Sequence, residues 1–172
     1  GMLESFITLY ELTKEQEWLK RAGEMARQFS SWVYSYDYEF PESSLFHTLD
    51  IHTNGAVYAN AQNRHGSPGI CTFSGLALLK LYHYTKDTFY IDLIRDIAHN
   101  LPQYLSRENR PVGKLPPGWM NERVNTTDWE GKEKIGEIFR GTTWAETSLM
   151  LTYVEIPGIY IDVANKLIRV FD

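Results

Sequence analysis

The sequence predicts a mainly α fold, built from αα-hairpins and followed by a short C-terminal β-hairpin. Two observations lead there. The segment SFITLYELTKEQEWLKRAGEMARQFSSWV aligns without a gap on ALLKLYHYTKDTFYIDLIRDIAHNLPQYL, 72 positions later. Within that alignment Leu9-Tyr10 meets Leu81-Tyr82, Thr13-Lys14 meets Thr85-Lys86, and the matched apolar positions recur every three or four residues. That spacing marks one face of an amphipathic helix, and repetition at a fixed period marks a repeat architecture.

Each unit reads as a helix ending at Leu-Tyr-x-x-Thr-Lys, a tight turn, and a longer helix running back antiparallel. Along the return helix Trp18, Ala22, Met25, Phe29, Trp32 and Val33 fall on Tyr90, Ile94, Ile97, Leu101, Tyr104 and Leu105. Their helical spacing predicts that Trp18 and Trp32, with the repeated Tyr10, Tyr82 and Tyr153, are packing residues. A third copy of the first helix is TTWAETSLMLTY, with Trp144 on Phe73, Leu149 on Leu78 and Tyr153 on Tyr82. Pro157-Gly158 then breaks the helix. The β-branched runs flanking Ala164-Asn165-Lys166 predict a β-hairpin. The expected division is a helical-hairpin repeat over 1–156 and a β-hairpin extension over 157–172.

Two long segments, about 37–70 and 107–141, join the units and are rich in Gly, Pro, Asn, Asp and His. Loops of that length inside a compact domain are usually functional or disordered. Each runs from the end of a return helix to the start of the next first helix, so both belong at one end of the helical layer. A cleft is expected there, with the Thr-Lys turns at the opposite end.

Composition narrows the partners. A net charge of −5 opposes a nucleic-acid or anionic-membrane surface, because either needs clustered Lys and Arg. No apolar stretch approaches the roughly 18 residues of a membrane span. The single cysteine, Cys71, lacks a partner for an intrachain disulfide and the spacing of a structural zinc site. Aromatic residues make up 14% of the chain, which favours ring-stacking recognition such as that of carbohydrate. Phosphate-cradling glycine loops and nucleophile elbows are absent from the sequence, and no cofactor is expected. The offset of the repeat places Gly1 on Phe73, inside a helix, so either missing N-terminal repeats or a homo-oligomer across open apolar faces is expected.

The junction Leu78 to Asp92, L-L-x-L-Y-x-x-T-K-D-x-x-Y-I-D, resembles those of the (α/α) toroid, or six-hairpin, glycosidase superfamily. The resemblance covers the helix-rich residues 3–155 and implies an incomplete ring of hairpins, with glycoside hydrolysis or glycan binding at the loop end. Cys71-Thr72 with Thr85-Lys86-Asp87 also resembles an arabinofuranosidase-like branch that uses a cysteine nucleophile beside zinc; its companion cysteines are not in this chain, and a buried helix-start thiol is the alternative for Cys71.

Glycoside hydrolysis usually needs two carboxylates, one acting as acid and one as base or nucleophile. Asp128 and Glu146 are the catalytic candidates. Glu146 also closes Thr143-x-x-Glu146, a capping box, so capping and chemistry are both open to it. In NTTDWEG, Asp128 and Glu130 flank Trp129, an arrangement suited to sugar binding or to a solvated turn. FHTLDIHTNG and NRHGSPG supply His52, Arg64 and His65 as candidate substrate contacts or as loop-fixing groups, and Trp144 as a further ring for the sugar comes from the third helix. The His-x-x-Asp-x-His spacing from His47 matches no metal motif of defined local geometry. The expected function is that of a glycoside hydrolase-like protein acting on or binding an oligosaccharide; the alternative is a non-catalytic carbohydrate-binding or structural scaffold.

Overall fold

The computed structural model describes residues 1–60, 64–69, 75–127, 134–138, 141–162, 164 and 167–170. The described chain is mainly helical with short antiparallel β-hairpins. Helices α1 (Met2–Thr13) and α2 (Gln16–Ser30) form one antiparallel pair, and α4 (Leu76–Thr85) and α5 (Phe89–Asn100) another. Between the pairs lie a short helix α3 (Leu45–Thr48) and the strands β1 (Val57–Asn60) and β2 (His65–Ser67). After α5 come a 3-10 turn (Leu101–Tyr104), strands β3 (Met120–Asn121) and β4 (Gly141–Thr142), helix α6 (Thr143–Glu155), and the hairpin β5 (Ile159–Asp162) with β6 (Leu167–Val170).

The two Thr-Lys junctions form the same hydrogen-bonded turn. Lys14 and Lys86 both adopt left-handed backbone with φ of 61°, and their N–H groups donate to the carbonyls of Tyr10 at 2.8 Å and Tyr82 at 2.7 Å. The hydroxyls of Thr13 and Thr85 donate back to Leu9 and Leu81 and accept from the N–H groups of Glu15 and Asp87. Each helix thereby satisfies its last carbonyls while reversing direction. Each lysine ammonium also lies 5.8 Å from the ring of the tyrosine that caps it. A left-handed conformation at a residue with a Cβ costs about 1–2 kcal/mol. Lys86→Gly is therefore expected to raise stability by about 0.5–1 kcal/mol in urea unfolding, net of unfolded-state entropy; a loss of stability would show that the ring contact outweighs the strain.

The helices share one core, in which Leu3 and Ile7 of α1, Ala22 and Ala26 of α2, Leu78 and Leu81 of α4, and Ile94 and Ile97 of α5 are buried together. Leu149 of α6, Ile159 of β5 and Val170 of β6 join the same cluster, so the C-terminal hairpin packs on the helical core. Trp18 stacks on Phe6 with ring centroids 6.2 Å apart, in the packing role expected of it. Trp32 does not fill that role. Its repeat counterpart Tyr104 is fully buried, whereas Trp32 is 43% exposed. The cause is the end of α2 at Ser30: the chain turns there and continues extended, and Trp32 leaves the helical face its spacing had placed it on.

The two long segments interlock. Gly66 and Val124 exchange backbone hydrogen bonds, Phe46 N–H donates to the Gly136 carbonyl, and Leu45 N–H donates to the Glu137 carboxylate at 3.2 Å. Both segments are therefore joined to each other, and the candidate site lies where they meet.

Candidate functional site

The residues after α2 read SWVYSYDYEF, with an aromatic at every second position from Trp32 to Phe40. In extended chain, alternate residues share a face. The backbone enforces that conformation by pairing with the segment leading into β1. Tyr34 N–H donates to the Ala56 carbonyl, Gly55 N–H to the Tyr34 carbonyl, and Tyr58 N–H to the Trp32 carbonyl. Thr53 extends the pairing through its hydroxyl, which donates to the Tyr36 carbonyl and accepts from Tyr38 N–H.

The result is a groove of about 710 Å³ lined by Trp32, Tyr34, Tyr36, Tyr38 and Tyr58, with buried Thr126 and its neighbour Thr127 completing one wall. Trp32 and Tyr58 stack with centroids 6.1 Å apart and planes 26° from parallel. Tyr34 stands edge-on to both Tyr36 and Tyr58, and its hydroxyl pairs with the Thr126 hydroxyl at 3.2 Å. Burial pushes the Tyr34 phenol above its usual range, against the opposing Thr126 hydrogen bond, so at neutral pH it is an uncharged donor and acceptor. Such a groove offers flat apolar faces and hydroxyl-type hydrogen bonds, which suits a ligand with C–H faces and many hydroxyls.

Among the described residues, none of the expected site residues lines this groove. Arg64 is exposed with φ of 51°, and its carbonyl accepts from the Thr127 hydroxyl at 2.7 Å, which places it next to the rim. His65 is buried in β2 and does not line the groove. His52 lies behind the aromatic segment, where its Nδ1 is 2.9 Å from Asp37 and its Nε2 3.7 Å from Asp50. Trp144 is 64% exposed on the first turn of α6. Asp128, Trp129, Glu130 and Cys71 lie outside the described residues. No group of three or more His, Cys, Asp or Glu side chains is placed to hold a metal among the described residues.

Glu146 makes a contact that a capping box does not contain. Its Oε1 accepts from Met120 N–H at 2.8 Å, joining α6 to β3, and its Oε2 is buried with no hydrogen-bond partner among the described residues. It does not line the aromatic groove. Glu146→Ala is expected to cost about 1–3 kcal/mol in urea unfolding by stranding the Met120 N–H. Glu146→Gln, whose amide oxygen can still accept that bond, should cost under about 1 kcal/mol. Equal losses in the two variants would remove the Met120 bond as the explanation.

The Asp37–His52 pair predicts a pH dependence. The hydrogen bond that His52 Nδ1 donates to Asp37, opposed by partial burial, raises the His52 pKa, while the Asp37 carboxyl, despite its own burial, is held below its usual value by Asn54 N–H and His52. The histidine contribution is complete below the unfolded pKa near 6.5 and is lost as pH rises through the raised folded value; the aspartate contribution is complete above its unfolded pKa near 3.8 and is lost as pH falls through the lowered one. Both side chains are about half exposed, so screening limits the effect to a few tenths of a kcal/mol. Wild type should lose that amount relative to His52→Asn between pH 6 and pH 8. A constant difference across that range would exclude the pair as its source.

Comparison of the chain with family models, curated protein sequences and solved structures returns no match in any of the three. The aromatic groove was legible only as the period-two run after α2, a signal hidden by projecting helical spacing past Ser30.

Proposed function

We propose that this chain is a carbohydrate-active protein that binds an oligosaccharide at the loop-bearing end of an (α/α) toroid-type, incomplete ring of hairpins. The observation that carries the reading is the groove in which Trp32, Tyr34, Tyr36, Tyr38 and Tyr58 meet the Thr126 and Thr127 side chains. Support for the repeat comes from the matching Lys14 and Lys86 turns. It also comes from two shallow surface grooves. Leu19 and Gly23 line one with Thr85 and Tyr90; Ile91 and Arg95, 72 positions on, line the other with Pro157 and Gly158. Exposed Leu12, Met150 and Val154 fit further repeats or a second copy of the chain.

Binding without turnover is the reading the geometry favours, because the described carboxylate among the catalytic candidates, Glu146, faces Met120 and not the groove. Hydrolysis through Glu146 and Asp128 is the second reading, and the observation in its favour is the unpartnered Glu146 Oε2. Calorimetric titration with an oligosaccharide panel, combined with a reducing-end release assay, separates them. Binding with no released ends supports the first reading. Release that disappears in Glu146→Gln and Asp128→Asn supports the second, and an absence of all glycan binding rejects both.

A further inference from the structure

We propose that the aromatic groove is a subsite for an uncharged oligosaccharide segment lying lengthwise along it, with Trp32 and Tyr58 as the ring platform and the Tyr34–Thr126 hydroxyl pair as the polar contact. This inference rests on the carbohydrate reading and specifies its ligand.

The length of the groove follows from its rings. They run in contact from Trp32 through Tyr58 and Tyr34 to Tyr36, with successive centroids 6.1, 6.2 and 5.7 Å apart. A row of four rings offers more surface than one sugar ring covers. Trp32 and Tyr36 are 43% and 59% exposed, and half-buried Tyr34 stands between them, its ring at 83° to that of Tyr36 with centroids 5.7 Å apart. Two accessible rings separated by a ring edge and a hydroxyl suit successive sugar units better than a single monosaccharide.

The charge of the ligand follows from the lining. Ser31, Val33 and Ser35 complete it, and among the described residues no Asp, Glu, Lys, Arg or His lines it. Asp37, although it lies between Tyr36 and Tyr38 in sequence, directs its carboxylate to His52 Nδ1 and Asn54 N–H. A uronate or sulfate seated along the rings would give up hydration without gaining a cationic partner among the described lining residues, because exposed Arg64, next to the rim, does not line the groove. The net charge of −5 adds long-range repulsion of an anionic glycan. A neutral sugar meets neither cost: its C–H faces stack on the rings and its hydroxyls exchange with those of Tyr34 and Thr126.

The test is titration calorimetry of the full chain with neutral gluco-, xylo- and manno-oligosaccharides of increasing length and with oligogalacturonate of matched length. At least one neutral series is expected to bind, with affinity rising from mono- to trisaccharide. Trp32→Ala should weaken binding at least about tenfold and Trp32→Phe less than that, with Tyr36→Ala and Tyr34→Phe each weakening it about threefold or more, at an unchanged unfolding midpoint for the exposed Tyr36 variant. Oligogalacturonate should bind at least about tenfold more weakly than the best neutral series. Equal or tighter binding of the anionic series would overturn the inference and leave the carbohydrate reading standing. Neutral binding that is indifferent to both Trp32→Ala and Tyr36→Ala would overturn the groove as the subsite. Failure of every glycan to bind would overturn the inference together with the carbohydrate reading.

Discussion

Gly55→Ala is expected to lower the unfolding free energy by roughly 3–5 kcal/mol. Gly55 has φ of 84°, and a Cβ there would overlap the backbone carbonyl of Asp96 and lie 3.0 Å from the Ile97 nitrogen. The left-handed backbone alone costs a residue with a side chain about 1–2 kcal/mol. The overlap adds to it because the obstacle is the main chain of α5, which cannot rotate away as a side chain can. Relief would require the segment before β1 to lift from α5, breaking the bond from Gly55 N–H to the Tyr34 carbonyl and disturbing the floor of the groove. Gly118 is the internal control: its φ is 89°, but a Cβ there meets nothing within 4 Å, so Gly118→Ala should cost only the backbone part, about 1–2 kcal/mol. Urea unfolding of both variants checks the difference. Losses within about 0.5 kcal/mol of each other would mean that the packing of Gly55 on Asp96 contributes nothing.

Asn100→Ala should cost about 2–4 kcal/mol. The side chain is 1% exposed, and its Nδ2 donates to the carbonyls of His52 at 2.9 Å and Asn54 at 2.8 Å. These bonds fasten the segment before β1 onto the C-terminal end of α5, directly behind the aromatic segment. Truncation removes the side-chain donor to the Asn54 carbonyl and opens a small void, while the His52 carbonyl keeps Gln103 Nε2 at 3.1 Å and the Tyr104 hydroxyl. Tyr104 donates to the same His52 carbonyl at a longer 3.4 Å, so Tyr104→Phe, which deletes only the hydroxyl, should cost about 1 kcal/mol. The two changes share a partner and are expected to be non-additive in a double-mutant cycle. Asn100→Ala costing less than Tyr104→Phe would contradict this account of how the groove is held.

Local signals were the legible ones. The Thr13-Lys14 and Thr85-Lys86 junctions were readable because the turn is made within four residues, by a hydroxyl, a left-handed lysine and the preceding tyrosine carbonyl. The β5–β6 pairing was equally local, being signalled by β-branched runs on either side of a turn. What depends on distant partners was not readable. The Glu146 carboxylate looks like a cap when its own helix is considered, yet it bonds a backbone N–H 26 positions upstream. Trp32 was misread for a different reason. The repeat alignment assigned it the burial of Tyr104, but the return helix stops two residues before it, and only the alternation of aromatics from Trp32 to Phe40 announces the extended chain. His52, Arg64 and His65 were grouped by sequence proximity; the fold separates them, with His52 on Asp37, Arg64 at the groove rim and His65 buried.

The central claim is that carbohydrate occupies the groove between the segment after α2 and β1. The chain has five tryptophans, each with an indole N–H that gives a separate signal in a nitrogen-15 correlation spectrum. Titration of the labelled protein with the tightest-binding neutral oligosaccharide should move the Trp32 indole signal progressively to saturation and leave that of exposed Trp119 in place. Movement of the Trp119 or Trp144 signal with Trp32 unchanged would place the ligand elsewhere and contradict the account.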